Sequence, residues 1–219
     1  MTDGVPYPAL LLDWLTPVYD LFVRLLLDEK RVKRDLIARA NLAPGLRVLD
    51  VGAGTGTLAI QVKQAQPAAV VTGLDGDPKV LGIAREKTTR AAVDVAFDLG
   101  DAVALPYPDG AFDRVLSSLV FSLLSGEQKR RVLREADRVL AADGELYLAD
   151  FGPPHTFWGW LLARRMRRFE PIRDNLDCRL PGMLRDAGLE DVVEAARYST
   201  VLGTISILSG RKRDGARSQ

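Results

Sequence analysis

Apolar positions along the chain alternate between two spacings, and the places where one gives way to the other outline an α/β domain. From residue 9 to 40, Leu11, Leu12, Leu15, Val18, Tyr19, Phe22, Leu25 and Leu26 recur at helical spacing among charges, and Pro17 divides the stretch into two helices. Pro44-Gly45 then opens onto Arg47–Val51, a short apolar run with β-branched residues that reads as a buried strand. It stops at Gly52, Gly54 and Gly56, where the backbone is free to take positive φ and to approach a ligand closely.

Beyond that turn the spacing predicts a helix over 57–66, ending before Pro67, and a second strand at Val70–Leu74 closed by Asp75. Asp77 is a good N-cap for the next helix, with Pro78 at its first position. Val93, Val95 and Phe97 alternate as a third strand ending near Gly100 and Asp101, and residues 105–110 form a loop. Phe112–Leu119 reads as a fourth strand, and Ser125-Gly126-Glu127-Gln128 as the capping box of a helix running to about Ala141. Asp143-Gly144 turns into a fifth strand, Glu145–Phe151. Residues 152–180 break the alternation. A short helix over Leu180–Ala187 stops at Gly188, strands at 191–197 and 201–209 close the sheet, and Arg211–Gln219 is read as a frayed tail.

Strands alternating with helices imply a doubly wound, mainly parallel seven-stranded Rossmann-like sheet. The last two strands, with no long helix between them, imply an antiparallel hairpin at one edge. With 219 residues and 47% hydrophobic content, one domain is expected: a helical lid over 1–43, a binding core over 44–151, a cap over 152–180, and a closing helix and strands over 181–210. Thirty basic against 29 acidic residues give no global reason to expect nucleic acid. The lone Cys178 excludes an internal disulfide framework, and neither a signal-peptide pattern nor an uninterrupted membrane-span length is found, so a cytoplasmic setting is expected. Attachment to a membrane surface stays open as an alternative. Oligomeric state is not legible.

A strand, a glycine turn and a helix N-terminus make a nucleotide-type site. A dinucleotide fingerprint needs a third glycine at position 57, which is threonine. The spacing present, Val-Leu-Asp-Val-Gly-Ala-Gly-Thr-Gly at 48–56, resembles the first motif of the class I S-adenosylmethionine-dependent methyltransferases. Asp75, 19 residues beyond Gly56, and Gly100-Asp101-Ala102 followed by Leu105-Pro106 match two further segments of that family. The resemblance covers about residues 40–209. It implies S-adenosylmethionine as cofactor, with Asp75 accepting both ribose hydroxyls. Asp101 would accept from the adenine amino group, the backbone at Ala102 would meet the ring, and Gly52, Ala53, Gly54 and Gly56 would admit the methionine part. Asp50 would hold the turn or the cofactor's ammonium group, and Gly76 and Ser118 complete the implied set. Ala142-Asp143-Gly144 stands where the family commonly has a Pro/Gly pair, and a turn is preserved.

Methyl transfer from a sulfonium is an in-line displacement that needs no metal, and it needs a base only where the acceptor loses a proton. His155, the sole histidine, follows the fifth strand and is the first candidate base, ahead of Tyr19 and Asp150. In residues 156–169, Trp158, Leu161, Leu162, Met166 and Phe169 share one helical face, with Arg164, Arg167 and Arg168 largely opposite. The plain expectation is a lid helix packing its apolar face on the domain with its arginines solvated. The functional alternatives are an apolar acceptor pocket or a basic amphipathic helix lying on anionic lipid. Pro17-Val18-Tyr19-Asp20 and Ala149-Asp150-Phe151 resemble the small-molecule and lipid branch of the family, which includes quinone C-methyltransferases and phospholipid N-methyltransferases. Three readings follow: methylation of a small, largely apolar acceptor; methylation of a phospholipid amine at a membrane; and a cofactor-binding protein without catalysis.

Overall fold

The computed structural model describes residues 29–213. Tyr19, the break at Pro17 and the other expectations for residues 1–28 lie outside the described residues. Helix α1 (Glu29–Arg39) precedes a seven-stranded sheet of order β3-β2-β1-β4-β5-β7-β6. Strands β1 (Arg47–Val51), β2 (Val70–Asp75), β3 (Ala96–Leu99), β4 (Phe112–Ser118) and β5 (Leu140–Phe151) pair in parallel. The closing hairpin of β6 (Leu189–Thr200) and β7 (Gly203–Lys212) is antiparallel, with β7 lying between β5 and β6. This is the doubly wound sheet with an antiparallel edge that the apolar pattern predicts.

Side chains alternate between two cores. Val48 joins Leu36, Leu58, Val62 and Leu81 on one face, beneath α1, α2 (Thr57–Ala65) and α3 (Pro78–Ala91). Leu49 and Val51 join Val132, Leu133, Leu184 and Leu208 on the other, beneath α4 (Gly126–Val139) and α7 (Leu180–Asp186). The predicted caps form. Asp77 accepts from the Lys79 N–H at 2.8 Å, and the Ser125/Gln128 capping box is complete.

Strand β6 runs longer than the expected 191–197, and three other boundaries differ from the pattern for a visible reason. Strand β3 starts at Ala96, not Val93, because Ala92 takes φ 50 and the Val93 N–H still donates to Thr88 O, so Val93–Val95 are the helix exit. Strand β5 starts at Leu140, which pairs with Phe112 ahead of the turn, so α4 ends at Val139 and the chain bulges before Glu145 meets Arg114. Arg211 and Lys212 belong to β7 and not to a frayed tail. Lys212 Nζ donates to the carbonyls of Asp137 and Leu140, both at 2.7 Å, satisfying acceptors left open at the end of α4.

Candidate active site

The carboxyl ends of β1, β2 and β4 meet at the glycine turn. Gly52, Gly54 and Gly56 all have positive φ, at 71, 53 and 71°. Their surroundings differ. A Cβ on Gly52 would stand 2.4 Å from Val120 Cγ2, in the loop after β4, and one on Gly56 would stand 2.7 Å from Phe97 Cζ. A Cβ on Gly54 would meet nothing within 4 Å, so Gly54 faces open space while its neighbours are closed by packing.

The turn spends its amides on itself. Gly52 and Ala53 donate to Leu74 O at 2.8 and 2.9 Å, and Gly56 donates to Ala53 O at 2.9 Å. Gly54 donates to Asp75 Oδ2 at 2.8 Å, and the other Asp75 oxygen accepts from Asp77 N at 3.0 Å. With four of its amides occupied, the turn presents the Asp75 carboxylate, which suits hydroxyls and a cation better than a phosphate. A carboxylate has about four lone-pair positions, so Asp75 retains capacity for a diol after these two bonds.

Asp50 is buried beneath the turn, where Oδ2 accepts from Ala59 N at 3.2 Å in the first turn of α2. Of its two anticipated roles, holding the turn is the one with a visible contact. Burial pushes its carboxyl up to about 7, against the pull of Lys33 and the Ala59 bond. Lys33 is buried too and is paired with Glu29. Lys87 Nζ braces the turn from α3, donating to Thr55 O at 2.9 Å and Thr57 Oγ1 at 2.7 Å.

Asp101 is exposed and accepts from Val103 N at 3.0 Å, with Ala102 half-buried beside it. The loop that follows is fastened by Arg138, which donates to Leu105 O, Tyr107 O and Asp109, and by Glu135, which accepts from Leu105 N. Gly76 is exposed, and a Cβ there would lie 3.7 Å from Gly100 O, so the ends of β2 and β3 run close together. Ser118 ends β4 with its hydroxyl buried and without a partner among the described residues.

At the carboxyl end of β5, Asp150 is a clamp. Its Oδ2 accepts from the Phe121 and Ser122 amides at 2.7 and 3.3 Å, and Oδ1 from Phe151 N at 2.7 Å and Asn175 Nδ2 at 3.1 Å. It joins the loop after β4 to helix α6 (Glu170–Leu176) of the cap, and burial raises its carboxyl above the usual range. Lys129, fully buried, also reaches the cap, donating to Pro171 O and standing 3.6 Å from Asp174. A small cavity beneath the cap is lined by Asp150, Asn175, Cys178, Glu194 and Ser206 among leucines, and Asn175 Oδ1 is unpaired there. His155 is exposed and turned to the closing hairpin, with Nδ1 3.0 Å from Thr204 Oγ1 and Nε2 2.8 Å from Ser199 Oγ.

One expectation is reversed. Helix α5 (Phe157–Met166) buries Gly159 and Ala163, with Leu162 and Met166 beside them, while Trp158, Leu161 and Phe169 point to solvent. The small residues let the helix sit close to the domain, and only one edge of the predicted apolar face reaches it.

Comparison with known proteins adds three findings. Residues 48–144 match the family model described as a methyltransferase domain. The chain is 39% identical over 142 residues to a demethylmenaquinone methyltransferase of Thermus thermophilus, covering 64% of each chain. It is 37% identical over 169 residues to the demethylmenaquinone methyltransferase of Thermotoga maritima, covering 74% of this chain and 70% of that one. The chain thus spans a little under two thirds of the Thermus protein. Among solved structures, magnesium protoporphyrin IX methyltransferase from Synechocystis PCC 6803 with bound S-adenosylhomocysteine superposes with a TM-score of 0.67 at 25% identity, over 87% of this chain and 84% of that one. The residues present fit the same cofactor: Gly54 faces open space, Asp75 has lone pairs to spare, and Ser118 carries an unused hydroxyl.

Proposed function

The chain belongs to the class I S-adenosylmethionine-dependent methyltransferases, of the quinone C-methyltransferase type, and from that membership we propose that it methylates a ring carbon of a small, largely apolar hydroquinone. The observation that carries this reading is the carboxylate-lined glycine turn, with Asp75 bonded to the Gly54 amide and Gly54 facing open space. When bound, S-adenosylmethionine supplies an electrophilic methyl group on a positive sulfonium. Asp75 orients the ribose, Asp101 and Ala102 meet the adenine, and Gly54 admits the methionine part. The Asp50 carboxylate keeps the turn in register through Ala59.

A ring carbon becomes nucleophilic when its neighbouring hydroxyl gives up a proton. Among the described residues His155, in the loop after β5, is the candidate to take it. Its two ring nitrogens face the hydroxyls of Thr204 and Ser199, and a neutral imidazole keeps one nitrogen lone pair that can accept a proton. Asp150 cannot serve, because four donors already occupy its oxygens. Its part is to position the loop after β4 against the cap. The quinone-directed relatives favour this acceptor over a phospholipid amine and over a non-catalytic binder. The test is transfer of label from methyl-labelled S-adenosylmethionine to a chemically reduced demethylnaphthoquinone in detergent. Label on the ring carbon is expected; label only on lipid amines, or none from folded enzyme, overturns the proposal.

A further inference from the structure

Helix α5 presents a surface that the reaction does not use. Phe157, Trp158, Trp160 and Leu161 are 75%, 72%, 51% and 46% exposed, and Phe169 just beyond the helix is 67% exposed. Phe157, Leu161 and Arg164 lie on one ridge at i, i+4 and i+7, with Trp158 and Arg165 beside it at the same spacing. The aromatic residues therefore occupy the first turn and the arginines the last. Arg164, Arg165 and Arg168 are exposed and have no acidic partner among the described residues, whereas Arg167 is paired with Asp177. The tip of the β6–β7 hairpin, with Val201 exposed, is tied to the same end through the bonds of His155 to Ser199 and Thr204.

Large apolar groups beside unpaired guanidiniums are complementary to a bilayer interface carrying anionic headgroups. A second copy of the chain fits less well, because a two-fold contact through this ridge brings the arginines no carboxylate, residues 157–169 carrying none. No helix among the described residues is long and apolar enough to cross a membrane, so the contact is peripheral. We propose that α5 docks the protein on an anionic lipid surface, with Phe157, Trp158, Trp160 and Leu161 at the headgroup boundary and Arg164, Arg165 and Arg168 on lipid phosphates. Helix α5 follows the carboxyl end of β5, so docking through it holds the ligand-binding edge of the sheet toward the lipid. The use of that orientation rests on the proposed reaction, while the docking is measured without it.

The full chain is sedimented with phosphatidylcholine vesicles with and without phosphatidylglycerol, at low and high salt, and the same preparations are titrated with S-adenosylhomocysteine. Binding only to the anionic vesicles, weakened by salt, is expected. Arg164→Gln/Arg165→Gln/Arg168→Gln should lose about 100-fold in partition, from roughly fivefold for each charge near the surface. Phe157→Ser/Trp158→Ser should lose at least about tenfold. Both should bind S-adenosylhomocysteine as wild type does. The proposal is overturned if wild type binds S-adenosylhomocysteine but stays off anionic vesicles, if it binds neutral vesicles equally, or if both variants partition unchanged. It is also overturned if the patch instead drives a concentration-dependent dimer that Phe157→Ser/Trp158→Ser abolishes. Vesicle binding without S-adenosylhomocysteine binding supports the docking and overturns the proposed function alone.

Discussion

Alanine at Gly54 and alanine at Gly56 should do opposite things to stability and to ligand binding. Both positions have positive φ, 53 and 71°, so each substitution costs about 1–2 kcal/mol in backbone strain. For Gly54→Ala the cost ends there, since the new Cβ meets nothing within 4 Å. For Gly56→Ala the Cβ comes 2.7 Å from Phe97 Cζ and 2.9 Å from Ala84 Cβ, both in the core. Overpacking of that kind adds about 1–3 kcal/mol, for a total of roughly 2–5 kcal/mol. Urea unfolding measures these values. Affinity for S-adenosylhomocysteine should follow the reverse order. The methyl added by Gly54→Ala stands in the space assigned to the ligand, so calorimetric titration should find binding weakened by about 10–100-fold. Gly56→Ala, whose methyl faces inward, should bind as wild type at temperatures where it is folded. The reasoning is refuted if Gly54→Ala binds normally, or if it is the less stable of the two.

Asp50 makes stability fall as pH rises. Its carboxyl is raised to about 7 by burial, so from about pH 4 to 7 the folded chain holds a proton that the unfolded chain has lost. Stability should decline through that window, by no more than about 4 kcal/mol, and level off above it. Urea midpoints across the window should flatten in Asp50→Asn, and a parallel decline in wild type and variant would contradict the assignment. Asp150→Asn should behave differently, because either orientation of the amide sets an NH2 group against donors from Phe121 and Ser122 or from Phe151 and Asn175. A loss of about 1–3 kcal/mol is expected in the same assay, and an unchanged midpoint would rule out the clamp. Arg138→Ala removes the bonds to Leu105 O, Tyr107 O and Asp109, so proteolytic nicking of residues 105–110 should accelerate and S-adenosylhomocysteine affinity should drop several-fold. Unchanged nicking would show that the loop is held by other means.

Most of the sheet is legible in the sequence because its central strands are buried on both faces and its helices carry strong local signals, such as Asp77-Pro78 and the Ser125–Gln128 box. What the pattern misses comes from tertiary contacts. Lys212 reads as tail and becomes strand because its ammonium finds open carbonyls at the end of a helix far away in sequence. Two lysines central to the site stand in register on their helices, although the apolar pattern alone does not single them out. Lys33 opens the stripe Leu36, Ile37, Ala40, and Lys129 opens Val132, Leu133, Ala136, so each is placed inward by its helix. A lysine on an apolar stripe predicts a polar partner within reach, here Glu29 for one and the Pro171 carbonyl of the cap for the other. Asn175 carries no comparable signal, since its role depends on Asp150 being brought beneath the cap. For α5, spacing identifies an apolar face but not which part of it meets the domain, and Gly159 and Ala163 decide that by allowing close approach.

Equilibrium binding of labelled S-adenosylmethionine to wild type and Asp75→Ala decides whether the glycine turn and Asp75 form the cofactor site. Wild type should bind with one-to-one stoichiometry, and Asp75→Ala should lose about 10–100-fold, the value of a charge-assisted bidentate contact to a diol. Folded wild type that fails to bind, or an Asp75→Ala variant that binds equally well, would rule out that site.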